Sequence, residues 1–388
     1  MNIPSCFGRV APMLAAMLAL PISASAADIK LPETLAWTAY DVGSGGYNQA
    51  VAIGNSLKNR LQVNLRVLPG KNDISRNLPL RENKVHFSAN GVGGTYLAQE
   101  GLYEFGGKEW GPQRLRLLVI NNSDALLTIV TAKDAGIKTI YDIKGKRVAW
   151  VAGAPSLNQN ITAMLAFANL TWNDVTKVEF GGFGAAMDGI VNNQVDAAFS
   201  STISGQAYKI AASPRGLQYP IFPHADKAGW ERMRKIAPFF VPFMGIEGAN
   251  MSKDNPVEGA TYPYPTLITY QNQDPNLVYN MTRAMAEFFS DYKDGAPGNN
   301  GWDIKRQIFD WVVPYHDGAI RYFKEIGVWK PEHQAHNDRL IQRQDVLAKS
   351  WEIYAKSAAG DENAFYAGWI KARGAALAQA GFDPVVTD

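Results

Sequence analysis

Tyr40-Asp41-Val42-Gly43-Ser44-Gly45-Gly46-Tyr47 lies between an alternating apolar segment and a stretch with helical spacing. Three glycines in four positions let the backbone take positive φ and approach a bound group closely. A helix that starts there presents unpaired N–H groups and a partial positive charge. The turn is therefore a candidate cradle for a small anion. Before it, Leu35 and Trp37 alternate with polar neighbours as in a strand. After it, Ala50, Ile53, Leu57 and Leu61 recur at spacings of three and four, as on one helix face. Strand, glycine turn and helix open an α/β chain.

Upstream, Met1 to Ala26 carries one charged side chain, Arg9, then the apolar run Val10 to Ile22, then Ala24-Ser25-Ala26 as a small-residue cleavage site. This pattern predicts a secretory signal peptide and a periplasmic mature protein. The run is shorter than the roughly 20 residues that span a bilayer. The single cysteine, Cys6, lies upstream of the apolar run and within the expected signal peptide, so disulfides, thiolate catalysis and cysteine metal sites are excluded from the mature chain. Removing Arg9 leaves 37 basic against 36 acidic residues. Near-neutrality without a basic stripe argues against nucleic-acid or membrane-surface binding.

Downstream, Val63, Leu65 and Val67 read as a second strand, and Leu115 to Ile120 and Ala125 to Thr131 as two buried ones. Asp142-Ile143-Lys144-Gly145-Lys146-Arg147 leads into a strand from Val148 to Val151. Ala154-Pro155-Ser156 then opens a helix, with Gln159 placed to complete a capping box and a second anion-ready helix start. Gly181-Gly182-Phe183-Gly184, a helix to about Asn193 and the strand Ala197 to Ser201 complete another αβ unit. About 360 mature residues exceed one comfortable core. The expected organisation is two lobes, residues 27–131 with 263–330 and residues 132–262, joined by two crossings near Thr131 and Tyr262. A ligand cleft lies between them, and helices over 331–388 close the chain against the first lobe. The βαβ order implies mostly parallel sheets.

Gly43-Ser44-Gly45-Gly46-Tyr47, Asp142 to Val148, Asp188-Gly189-Ile190 with Val195 to Phe199, Leu277-Val278-Tyr279, and Pro314 to Gly327 together resemble the TAXI family of solute receptors in TRAP transporters, over about 35–330. The resemblance implies a type II-like, two-lobed periplasmic-binding fold. It also implies a non-enzymatic role, with no cofactor or metal: binding a small carboxylate solute and handing it to TRAP permease subunits. It places ligand contacts at Gly43, Ser44, Gly45 and Tyr47, at Asn90 and Val92, at Asn122 and Ser123, at Ser156 and Asn158, and at Ser200 and Thr202, and Asp41 beside the first turn and Phe183 in the second glycine run join them as candidates. Where the family often carries an acidic residue, this chain has Asn90-Gly91-Val92-Gly93. That departure favours a solute without an amino group, such as a keto or hydroxy acid, with a dicarboxylate also admitted.

Plainer roles stand beside these. The glycines could simply build a turn, Ser156 could only cap its helix, and Tyr47 and Phe183 could be packing aromatics. Arg76, Arg81 and Arg116 are candidates for a carboxylate clamp, although salt bridges are the commoner fate of arginine. A receptor for an ATP-driven importer or a sensor would use the same fold. An exported hydrolase is the alternative of another class. For that, Gly43-Ser44-Gly45 lacks the full nucleophile-elbow pattern, phosphate-loop and dinucleotide motifs are missing, and His333 and His336 alone fall short of a zinc site.

Overall fold

A computed structural model describes residues 28–385, so the expected signal peptide, Cys6 included, lies outside the described residues. The strands are β1 Thr34–Ala39, β2 Asn64–Pro69, β3 Phe87–Asn90, β4 Leu115–Ile120, β5 Leu127–Ala132, β6 Arg147–Val151, β7 Thr176–Phe180, β8 Ala197–Ser201, β9 Leu217–Gln218, β10 Val241–Gly245, β11 Val257–Thr261 and β12 Thr266–Tyr270. The helices are α1 Gly45–Leu61, α2 Asp73–Arg81, α3 Ala98–Glu100, α4 Pro155–Phe167, α5 Phe183–Val191, α6 Gly205–Ala212, α7 Lys227–Ile236, α8 Pro275–Glu287, α9 Phe289–Tyr292, α10 Asp317–Glu325, α11 Pro331–Ser357 and α12 Glu362–Gln379.

Two five-stranded sheets divide the chain into lobes. Lobe I is built on the order β2-β1-β3-β12-β4 and lobe II on β7-β6-β8-β5-β9. Both sheets are mixed. β1 runs parallel to β2 and β3, and β6 parallel to β7 and β8. β12 is antiparallel to both its neighbours in lobe I, and β5 to both of its neighbours in lobe II. The expectation of mostly parallel sheets holds for four of the five strands in each sheet, and the one opposed strand of each, β12 or β5, enters its sheet directly from the other lobe without a helical crossover. The first crossing is also displaced from its expected place. β5 pairs wholly within lobe II, so the chain changes lobes at 121–126 rather than near Thr131. The return crossing runs through 262–265.

Local rules explain the elements. Every residue of β4 and β5 is buried, as expected of strands covered on both faces, so they read as largely apolar runs, interrupted by Arg116 in β4 and by Thr128 and Thr131 in β5. Proline at the first position starts α4, α8 and α11, where its missing N–H and fixed φ cost nothing. α1 ends with Gln62 at φ 58° and carries Lys58 and Arg60 in its last turn, facing the negative end of the helix dipole.

The C-terminal helices pack on lobe I around one buried acid. Glu100 is wholly buried and accepts from Arg343 Nε at 2.7 Å and Nη2 at 2.8 Å, and also from Arg373 Nη2. Burial pushes its carboxyl pKa up, but the two guanidinium groups outweigh that and hold it below the usual range. Trp369 Nε1 donates to the Gly101 carbonyl at 2.7 Å, and Arg116 Nη1 donates to the Gln344 side chain.

Candidate functional site

The glycine turn sits where β1 delivers the chain to the edge of the interlobe cleft. Gly43 holds φ +82°, a conformation that other residues rarely adopt. Its carbonyl accepts a 2.8 Å hydrogen bond from the Gly205 N–H at the start of α6, in lobe II. Ser44 caps α1, accepting from Tyr47 N at 3.2 Å. One rim of the cleft is thus a backbone-to-backbone contact between lobes.

A second contact lies deeper. The Asp73 carboxylate, at the start of α2, accepts from Ser156 N at 2.9 Å and Ser156 Oγ at 2.6 Å. Its other oxygen accepts from Arg76 Nη2. Gly93 makes room for this: a Cβ there would stand 2.6 Å from Ser156 Cβ and closer still to Asp73. A third contact is at the rim, where Asp41 Oδ2 accepts from Gly184 N, in the first turn of α5, at 3.2 Å. Two helix N-termini of lobe II are therefore met by carboxylates of lobe I, the arrangement that the helix dipole favours.

Between these contacts is a cavity of about 30 Å³, room for one or two waters in this closed form. Tyr40, Leu127, Phe183, Phe199, Tyr262 and Tyr264 form its apolar walls, and Ser44, Ser156, Ser200, Ser201 and Ser204 its hydroxyls. Among the described residues, Arg76 is the one charged side chain on that wall. It is 1% exposed, and its guanidinium carbon lies 4.0 Å from the Tyr40 ring centre. Four polar atoms of wall residues are buried without a hydrogen-bond partner: Arg76 Nε and Nη1, Tyr40 Oη and Ser201 Oγ. Burial first, and the Asp73 charge second, raise the Tyr40 pKa well above its ordinary value, so its hydroxyl stays protonated.

Of the residues expected at the site, Ser44, Gly45, Ser156, Phe183 and Ser200 line the cavity. Phe183 packs on Tyr40 with ring centres 5.1 Å apart, and Ser200 Oγ lies 2.9 Å from Ser204 Oγ. Gly43 and Asp41 form the rim contacts. The others are engaged elsewhere. The Asn158 amide bonds both the N–H and the C=O of Val151, fixing the end of β6. Asn90 is buried against Asn77 and Ser88, beside buried Val92. Tyr47 is half-buried against the core. Asn122 bonds through its backbone to Gly301 and Arg306, and Ser123 lies beside Gly298. Thr202 Oγ1 donates to the Glu247 carbonyl and accepts from Leu126 N, holding the first crossing. The capping-box reading of Ser156 is also corrected. Pro155 starts α4 one residue earlier, so Ser156 lies inside the first turn and spends its hydroxyl on Asp73, while Gln159 donates to Ile236 O. Arg76, Tyr40 and Asp73 carry the site's charge and donors, and of these only Arg76 was a sequence candidate.

Two α/β lobes, two crossings and a polar cleft between helix N-termini define the two-lobed, periplasmic-binding class of protein. The chain matches the NMT1-like family over residues 42–327 and belongs to it. Among solved structures it is similar to the alkanesulfonate-binding protein SsuA from Xanthomonas axonopodis pv. citri bound to MOPS. Identity there is 12%, over 86% of this chain and 96% of that one, with a TM-score of 0.44. It is also similar to an ancestral arginine-binding protein bound to arginine, at 16% identity over 69% and 95%, TM-score 0.42. The periplasmic aliphatic sulphonate binding protein SsuA from Escherichia coli gives 13% over 83% and 87%, TM-score 0.41.

Proposed function

We propose that this protein is an extracytoplasmic receptor that closes around a small organic anion, a carboxylate, and presents it to a membrane transporter. The observation that carries this reading is the set of unpartnered donors on the cavity wall. Leaving a buried donor unmade costs about 1–3 kcal/mol, more for a charged group, so such atoms mark where a ligand's acceptors belong. Arg76 only donates, and the Tyr40 and Ser201 hydroxyls can donate beside it.

Asp73, the acid behind the wall, is already engaged by Arg76 and Ser156. The cleft therefore offers an incoming group more donors than acceptors. Because the cavity holds only a water or two, the solute enters an open form and shifts the equilibrium toward closure by touching both lobes. A TRAP-type permease as partner, and a periplasmic location, rest on the motif resemblance and on the expected signal peptide. Among the described residues no helix is long and apolar enough to cross a membrane.

A thermal-shift screen of small organic anions tests the reading. A ligand at 100 times its dissociation constant should stabilise the protein by about 2.7 kcal/mol. If no anion raises the melting temperature, the anion-receptor reading fails. Uptake in vesicles with a TRAP permease, driven by an ion gradient and indifferent to ATP, would support the partner, and ATP-dependent uptake would replace it with an importer.

A further inference from the structure

We propose that Asp73 and Arg76 restrict the cleft to solutes carrying a single anionic group, namely monocarboxylates with an apolar body and no ammonium. This rests on the receptor reading above and narrows it. Arg76 is the one charge on the cavity wall among the described residues, and Asp73 already takes one of its nitrogens. Nε and Nη1 carry three N–H donors between them, enough for one carboxylate.

The α4 N-terminus, the other place where an anion would bind, is filled by the Asp73 carboxylate itself through Ser156 N and Oγ. A resident carboxylate thus stands where a second ligand carboxylate would go. The Asp73–Arg76 pair is neutral as a unit, so one solute anion leaves the cluster with a single uncompensated charge and a second would set like charges together in a low dielectric. An ammonium fares no better. Asp73 is wholly buried with both oxygens accepting hydrogen bonds, and no acidic side chain lines the cavity among the described residues. The walls of Tyr40, Leu127, Phe183, Phe199, Tyr262 and Tyr264 suit a branched aliphatic or aromatic body.

Isothermal titration of the mature chain with isocaproate, leucine and adipate tests this, because leucine adds an ammonium to the isocaproate skeleton and adipate, an unbranched chain of the same carbon number, carries a second carboxylate. Isocaproate should bind at least roughly tenfold tighter than either, within the range that one buried polar group left unpaired costs. Asp73→Asn, which removes the resident charge and keeps the shape, should narrow the gap between isocaproate and adipate. Ser156→Ala, which leaves both charges in place, should preserve it. Adipate or leucine binding the wild type as tightly as isocaproate overturns the inference, and so does an unchanged ratio in folded Asp73→Asn. Should that variant not fold, the wild-type ratios with Ser156→Ala decide. If none of the three binds while another solute raises the melting temperature, the single-anion inference falls and the receptor reading stands. If nothing binds, both fall.

Discussion

Asp73 and Ser156 belong to different lobes, yet the Asp73 carboxylate accepts both the N–H and the hydroxyl of Ser156, at 2.9 and 2.6 Å. The closed form is therefore held by a charge-assisted contact that the protein supplies itself. Ser156→Ala should remove one such bond and weaken the closed state by about 1.5–3 kcal/mol. Small-angle scattering of the solute-free protein should then report a larger radius of gyration than wild type. An unchanged radius would show that the Gly205 to Gly43 backbone contact suffices for closure.

Arg76 makes a second case. Lysine keeps the charge but loses the planar donor set and its place over the Tyr40 ring. Arg76→Lys should reduce affinity for the bound anion by about tenfold or more while the protein still folds. Titration of both forms with the same solute measures it, and equal affinities would place the anion elsewhere in the cleft.

Glu100 anchors the C-terminal helices through two arginines. Removing one member of a buried ion-pair cluster typically costs about 3–5 kcal/mol, because the remaining charges lose their compensation. Urea unfolding of Glu100→Gln should show a loss of that order, and a loss below 1 kcal/mol would mean that apolar packing alone holds α11 and α12.

Acid should act through Asp196. Burial raises its pKa, but hydrogen bonds from Arg147 and Arg215 outweigh that and hold it at about 2. A carboxyl whose folded pKa lies below its unfolded value contributes fully above the unfolded value and loses that contribution as pH falls through the folded one. Stability on the order of 1 kcal/mol should therefore be lost between about pH 4 and pH 2, and Asp196→Asn should remove that part of the pH dependence. A variant with the wild-type acid profile would refute the assignment.

What could be read from the chain divides along physical lines. Leu35, Trp37 and the helical spacing from Ala50 to Leu61 gave the opening strand and helix, because apolar periodicity reports burial directly. The cavity's serines at 44 and 156 were legible because turns and helix starts carry recognisable residues, whereas Ser200, inside β8, was reached only through the family resemblance. Asp73 was not, since Asn72-Asp73-Ile74-Ser75-Arg76 reads as a capped helix start with a solvated charged face. A signal was present all the same. Asp73, Arg76, Asn77 and Leu80 fall at i, i+3, i+4 and i+7, the spacing of a buried stripe, and all four are buried. Polar residues on that stripe masked it. The misplaced first crossing has a similar cause: Ala125 to Thr131 is apolar but for Thr128 and Thr131, and a run buried on both faces does not say which of two sheets it joins.

The Glu100 anchor bears on how closure would look from outside. Lobe I carries α11 and α12 fixed to it, and lobe II carries no comparable addition among the described residues. When the cleft opens, the heavier lobe is the natural frame of reference and lobe II is the part that swings. A transporter resting on lobe I would feel a constant footing, and the news that the cleft is loaded would reach it only as the arrival of lobe II.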